Sequence, residues 1–147
     1  MKENKKIKIK SLTGFSLVEL LVVVAIIGIL SAVGVVSYGG YVSGAKEKST
    51  KNVMLQISLA QIEEYSNNGS YFIQDDSSSC TPSSSNSDAI ETALFGGGDQ
   101  IPKDMGYEIC IAAGTGSSNF NIIAEEISGA CQLTLSRNGN FTRGDDC

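Results

Sequence analysis

The side chains that could carry chemistry in this chain are few. The sequence contains four cysteines and no histidine, so the usual general base and the usual catalytic triads are missing. The cysteines are Cys80, Cys110, Cys131 and Cys147, and no two of them form a Cys-x-x-Cys pair of the kind that holds zinc. An even number of cysteines beyond an apolar N-terminal segment predicts two disulfides formed in an oxidising compartment, with three pairings possible.

One glycine-rich segment and two aspartate pairs resemble phosphate-binding and calcium-binding sites only superficially. The segment "FGGGD" (95–99) has the glycines of a phosphate-binding loop, but no Lys-Ser/Thr follows, and Asp99 would repel a phosphate. The pairs Asp75–Asp76 and Asp145–Asp146 lack the ligand spacing of a calcium loop. The segment therefore indicates a flexible loop and the aspartates a solvated surface, and the sequence predicts no enzyme, metal or cofactor.

Charge is distributed unevenly along the chain. Residues 1–14 carry five lysines against one glutamate, net +4, whereas residues 15–147 carry six basic against fifteen acidic residues, net −9. A basic start followed by an apolar run is typical of membrane targeting with the lysines retained in the cytoplasm. The acidic remainder disfavours a nucleic-acid-binding surface, which needs clustered Lys and Arg.

An apolar run from Phe15 to Val36 contains one charged residue, Glu19, in 22 residues. As a helix this run would extend roughly 33 Å, enough to cross a bilayer. A carboxylate inside such a segment is costly, so Glu19 requires a partner or an interfacial position. An ordinary secretory signal cleaved near "SAVG" (31–34) and a plain membrane anchor are the alternative interpretations.

The remaining sequence predicts an α+β fold. Helix formers continue to about Tyr65, with Val53, Ile57 and Ala60 on one stripe and Leu55, Leu59 and Ile62 on another. A Ser-rich loop (75–88), a short helix (89–95) and a glycine loop follow. Three strand candidates then alternate apolar and polar residues, in "YEICIAAG", "NFNIIAEEI" and "CQLTLS", and "RNGNF" supplies an Asn-Gly turn. We expect an antiparallel sheet packed on the second half of the long helix.

The segment "KSLTGFSLVELLVVVAIIGIL" resembles the N-terminus of a type IV prepilin, in its type IVa-like major form. The matching features are a short basic leader, Gly14, Phe15, Glu19 four residues later, and an unbroken apolar run. The resemblance implies cleavage between Gly14 and Phe15 by a membrane-embedded aspartic prepilin peptidase, and N-methylation of Phe15. It further implies a pilin fold and assembly with other copies into a helical filament by an ATP-driven machine in the inner membrane.

The resemblance also divides the chain and orders its cysteines. It implies a leader (1–14), a transmembrane and assembly helix (15–36), an amphipathic half of the helix (37–65) and a globular head (66–147). A disulfide that closes the C-terminal loop of pilins implies Cys131–Cys147, which leaves Cys80–Cys110. Pilins usually carry a proline near the position of Val36, and this chain has none there. Any local unwinding in the filament is therefore expected around Gly34 to Gly40, where glycines weaken the helix.

The function that the resemblance implies is that of a structural pilus subunit for adhesion, twitching motility or DNA uptake. The precursor would reside in the inner membrane and the assembled fibre on the cell surface. Glu19 would pair with the new amine of a neighbour's Phe15 and so set the register between subunits. The alternatives are a pseudopilin of a type II secretion system and a secreted soluble binding domain with an ordinary signal peptide.

Overall fold

A computed structural model describes residues 14–115, 119–129, 131–145 and 147. The chain divides into two compact units, Met1–Tyr41 (the N-terminal unit) and Val42–Cys147 (the head unit). The predicted leader lies outside the described residues except for Gly14. Helix α1 (Leu17–Asn68) contributes to both units, and the other helices and strands that the structure describes belong to the head unit.

The described residues of the N-terminal unit are Gly14, Phe15, Ser16 and the first part of α1. Its residues from Leu17 to Tyr41 are helical throughout, including the glycines at 34, 39 and 40. By length and composition the apolar part of α1 suffices to cross a membrane, and none of that stretch is buried among the described residues. The described part of the fold therefore does not cover this segment.

In the head unit, one face of α1 enters the core. The buried residues of this face are Thr50, Val53, Met54, Ile57 and Gln61, which places the predicted Val53–Ile57 stripe against the core. The second predicted stripe is exposed at Leu55, Leu59 and Ile62. The helix continues past the predicted Tyr65 to Asn68 and ends before Gly69, whose φ of +74° provides the left-handed C-terminal cap that favours glycine.

Four antiparallel strands form the sheet in chain order. They are β1 (Tyr107–Ala113), β2 (Phe120–Glu126), β3 (Gln132–Ser136) and β4 (Phe141–Arg143). Ile111 pairs with Ile122, Ile122 with Leu135, and Leu135 with Phe141. This row crosses the sheet within the same hydrophobic core as Val53, Met54 and Ile57 of α1. The predicted α+β class, with a long helix packed on an antiparallel sheet, is confirmed.

The predicted extents of the Ser-rich loop and of the short second helix are wrong. Helix α2 (Ser84–Phe95) begins inside the segment assigned to the loop, because the Ser83 side chain caps it by accepting a hydrogen bond from the Asn86 amide. The serine-rich composition of this segment predicted a loop, whereas the N-cap at Ser83 starts a helix within it. Ile90 anchors α2 in the core, and a 3₁₀ helix (Lys103–Met105) precedes β1.

Side chains and loop backbone cover the outer edge of β1. The Gln74 backbone amide donates to the Ile111 carbonyl, and the Ile111 amide donates to Gln74 Oε1, both at 2.9 Å. The Ile109 amide donates to Ser87 Oγ at 3.0 Å, and the Ala113 amide donates to the Asp75 carbonyl at 2.8 Å. An uncovered strand edge would offer unpaired backbone groups to other chains, so these bonds satisfy and protect it.

Gln61 ties the chain beyond α1 to the helix. Its side-chain amide is fully buried, donates to the Phe72 carbonyl at 2.6 Å and accepts from the Phe72 amide at 2.9 Å. This pair of bonds fixes the direction in which the chain leaves the helix on its way to the β1 edge.

Replacing Gln61 with Ala should leave both Phe72 backbone groups without their partner, because the site is buried. We expect a loss of about 1–3 kcal/mol in the free energy of unfolding. Denaturant unfolding of the full-length chain in detergent measures it. Gln56→Ala is the matched control, since Gln56 lies exposed on the same helix, and equal stability of the two variants would contradict the assigned role.

Candidate functional site

The N-terminal candidate site begins just before α1. Gly14, Phe15 and Ser16 precede the helix, and the Phe15 side chain is 83% exposed. A Cβ placed on Gly14 would meet nothing within 4 Å among the described residues. Steric contact with the described residues therefore gives no reason for a glycine at this position.

Glu19 caps the start of the same helix. The Ser16 amide donates to Glu19 Oε2 at 2.9 Å, and the Leu20 amide donates to the Ser16 carbonyl at 3.2 Å. This is the glutamate half of a capping box, in which a carboxylate in the first turn accepts from the N-cap amide. The carboxylate also lies at the positive end of the helix dipole, where an anion is stabilised. Within one chain, Glu19 is thus bound on one of its two oxygens.

An apolar surface surrounds this site on the helix. Large side chains on all sides of the N-terminal unit are about half to more than three-quarters exposed; they are Leu17, Val18, Leu20, Leu21, Val22, Val23, Val24, Ile26, Ile27, Ile29, Leu30, Val33, Val35 and Val36. A helix that is apolar all round is stable only inside a larger apolar environment. The carboxylate of Glu19 would enter that environment with the helix.

The four cysteines lie in the head unit and form two disulfides, Cys80–Cys110 and Cys131–Cys147. Cys110 is buried with Ala112 and Ile123 on the sheet face opposite the main core, and Cys80 packs against this small cluster. The second bridge closes the C-terminal segment that contains β3 and β4. Closing a loop of this length adds roughly 3 kcal/mol in the chain-entropy model.

A charged network joins the C-terminal segment to α1. Glu47 contacts Lys51 Nζ at 2.8 Å and Arg143 Nη2 at 3.4 Å, and Arg143 also donates to the Cys147 carbonyl. Lys51 Nζ lies 5.9 Å from the centre of the Phe141 ring. The i,i+4 spacing of Glu47 and Lys51 was visible in the sequence, whereas the partnership with Arg143 depends on the fold and was missed.

The network lowers the pKa of Glu47. The largest cause is the hydrogen bond from Lys51, and the charges of Lys51 and Arg143 add to it against the opposing effect of burial. A carboxylate with a lowered folded pKa stabilises the fold above its unfolded pKa and loses that contribution as the pH falls.

Comparison with known proteins identifies the family. Residues 11–35 match a family model described as the prokaryotic N-terminal methylation motif. A probable minor fimbrial protein of Dichelobacter nodosus is 33% identical over 118 residues, covering 80% of this chain and 67% of the relative. A second probable minor fimbrial protein of the same organism is 34% identical over 118 residues, with the same coverage. No solved structure matches the chain significantly.

The fold and the N-terminal methylation motif define a structural protein of the pilus class. With relatives at this identity and coverage, the chain belongs to the type IV pilin family. This is a family of structural proteins, and the matched range of this chain contains Gly14, Phe15, Glu19 and most of the apolar run.

Replacing Glu47 with Gln should destabilise the head only where the carboxylate is ionised. At neutral pH we expect a loss of about 0.5–1 kcal/mol, because the ion pairs are partly exposed. The difference from the unmodified chain should shrink as the pH falls below the ordinary value of 4.5 and through the lowered folded pKa. Thermal unfolding across pH measures it, with the exposed Glu63→Gln as control, and a difference that persists in acid would contradict the charge-based account.

Proposed function

We propose that this chain is made as a membrane-anchored precursor, cleaved after Gly14, methylated on Phe15 and polymerised through α1 into a surface pilus. The observation that carries the proposal is the N-terminal junction. A glycine that steric contact with the described residues does not require precedes an exposed Phe15, and a charged Glu19 follows inside an uncovered apolar helix. Processing explains the glycine, and assembly explains the glutamate.

Before assembly, the bilayer covers the apolar part of α1. The lysines of the leader remain on the cytoplasmic side, and Glu19 lies close to that interface. Partners at this stage are the prepilin peptidase and the assembly machinery of the inner membrane. After assembly, the α1 helices of other copies take the place of lipid, and the head faces outward on the extracellular fibre.

The charge of Glu19 then acquires its main partner. Cleavage creates an ammonium group on Phe15, and in a helical stack of subunits a neighbour's Phe15 ammonium can reach the Glu19 carboxylate. The Ser16 amide occupies only one carboxylate oxygen, so the cap and the intermolecular pair are compatible. Leaving one member of such a buried pair unpartnered costs about 3–5 kcal/mol per site.

The relatives bear on the abundance of the subunit. The sequence resembles a major pilin, yet both fimbrial relatives are described as minor proteins. Their descriptions favour a low-copy position in the fibre. Quantitative mass spectrometry of sheared fibres measures the share of this chain directly. Which activity the fibre serves, among adhesion, motility and DNA uptake, depends on the organism's other fibre components.

Substitutions at Glu19 separate its cap from its charge. Glu19→Gln keeps an oxygen that can accept from the Ser16 amide but removes the charge, whereas Glu19→Ala removes both, and Glu19→Asp keeps the charge on a shorter side chain. We expect normal membrane insertion and cleavage in all three. In the Glu19→Gln and Glu19→Ala variants, the processed subunit should accumulate in the inner membrane and be nearly absent from fibres. The reason is that each added subunit would bury an unpaired Phe15 ammonium. Asp should have a milder defect.

Immunoblots of membrane and sheared fractions, with antibody against the head, distinguish these outcomes. A Gln variant that enters fibres at the normal level while Ala fails would assign the role to the helix cap and refute the charge pair. Normal incorporation of both variants would remove any assembly role for Glu19.

A further inference from the structure

The head unit contains a half-open cavity of about 700 Å³ beside the C-terminal end of α1. Its described walls come from α1, from the segment after it, from Gly114, Thr115 and Asn119 between β1 and β2, and from the β3–β4 turn. The volume lies within the roughly 300–1,000 Å³ of small-molecule sites. No disulfide and no part of the Glu19 site lines it, so the cavity is separate from the features that the assembly proposal uses.

Aromatic rings form one wall of this cavity. Tyr65 and Tyr71 stack with ring centres 4.6 Å apart, and Tyr71 meets the fully buried Phe120 edge to face at 4.9 Å. Phe120 fixes Tyr71, and Tyr71 fixes Tyr65, whose side chain is 42% exposed. The outer ring of a stack anchored in the core is a rigid, flat surface with a polar end.

Planar polar side chains line the same cavity beside the aromatic rings. The guanidinium carbon of Arg137 lies 5.6 Å from the centre of the Tyr71 ring, and Arg137 Nη1 donates to Asn119 Oδ1 at 3.4 Å. Asn121 and Asn138 line the same cavity. Side-chain amides both donate and accept, and a guanidinium donates in a fixed fork. Such groups can bond to adjacent hydroxyls of a ligand, because each hydroxyl also donates and accepts.

Charge argues for a neutral ligand. Arg137 is the one charged side chain among the described lining residues, and it already stacks on Tyr71 and bonds to Asn119. The head unit as a whole has six basic against fourteen acidic residues. An anion approaching this surface would meet a repulsive field, whereas a neutral ligand would not.

We propose that this cavity binds a hexopyranose unit of a neutral glycan. The C–H face of the sugar ring would lie on Tyr65, and the amides and Arg137 would bond to adjacent hydroxyls. Both requirements, a flat aromatic face and several hydrogen-bond donors and acceptors, are met among the residues that line the cavity. Binding by the head needs no polymerisation, whereas a use of the site in surface attachment rests on the proposed pilus function.

The test measures sugar binding by the full-length chain in a detergent without a sugar head group. Saturation-transfer NMR with methyl glucoside, methyl mannoside and methyl galactoside should give saturable binding of at least one of them. Glucuronate should bind more weakly than that neutral sugar, and glycerol, which has hydroxyls but no ring face, should not bind. Raising NaCl from about 0.05 to about 0.5 M should change the neutral binding little, because screening acts on charges.

Variants assign the binding to the cavity. Tyr65→Ala should weaken binding about tenfold or more, whereas Tyr65→Phe keeps the ring and should stay within about threefold. Arg137→Ala, in the exposed β3–β4 turn, should also weaken binding, and Thr92→Ala on α2, outside the cavity, should not. Thermal unfolding shows whether each variant remains folded.

Three results would overturn the proposal. The first is no saturable binding of any neutral hexoside up to about 20 mM. The second is a preference for glucuronate that salt abolishes, which would indicate a site for anions. The third is unchanged affinity in folded Tyr65→Ala and Arg137→Ala chains, which would place the binding elsewhere. Failure of fibre assembly in Glu19 variants would alter none of these measurements.

Discussion

The structure depends on one constraint, which is that the chain carries more apolar surface than it can bury. Large apolar side chains from Leu17 to Val36 stay exposed on every side of α1, while the head completes its core with Val53, Met54 and Ile57 of the same helix. At about 25 cal/mol per Å² of apolar surface removed from water, such a helix requires external cover. A bilayer and a bundle of pilin helices would both meet this need, and the proposed function takes the chain from the first to the second.

Polar groups in both units fit the same constraint. At the start of α1, one oxygen of Glu19 accepts a hydrogen bond from the Ser16 amide, which leaves the other oxygen for the partner proposed above. In the head, Gln74 and Ser87 accept hydrogen bonds from backbone amides along the β1 edge. These amides would otherwise be free to pair with another chain. Among the described residues, the apolar part of α1 thus stays exposed, while the β1 edge, which could pair with other chains, is covered.

Local patterns in the sequence account for much of this structure. The long helix, the three main strands and the Asn-Gly turn follow from periodicity and turn residues, because each is decided by near neighbours. The start of α2 was missed because the Ser83 cap stands within a serine-rich run that equally suits a loop. The short strand β4, the Arg143–Glu47 contact and the aromatic stack of Tyr65 on Tyr71 depend on distant segments meeting, which a single sequence does not reveal. At the N-terminus, the spacing of Gly14, Phe15 and Glu19 sufficed to name the candidate site, whereas the Ser16 cap required the structure.

Mass spectrometry of the chain recovered from sheared surface fibres tests the central claim most directly. The account predicts a first residue of Phe15 with one added methyl group, since the peptidase cuts after Gly14 and the new amine is modified. The peptide should be found in fibres and not only in membranes. A mature N-terminus at or beyond Ala32 would instead indicate an ordinary signal peptidase and a released head without its apolar helix. That result would contradict assembly through α1 and with it the role proposed for Glu19.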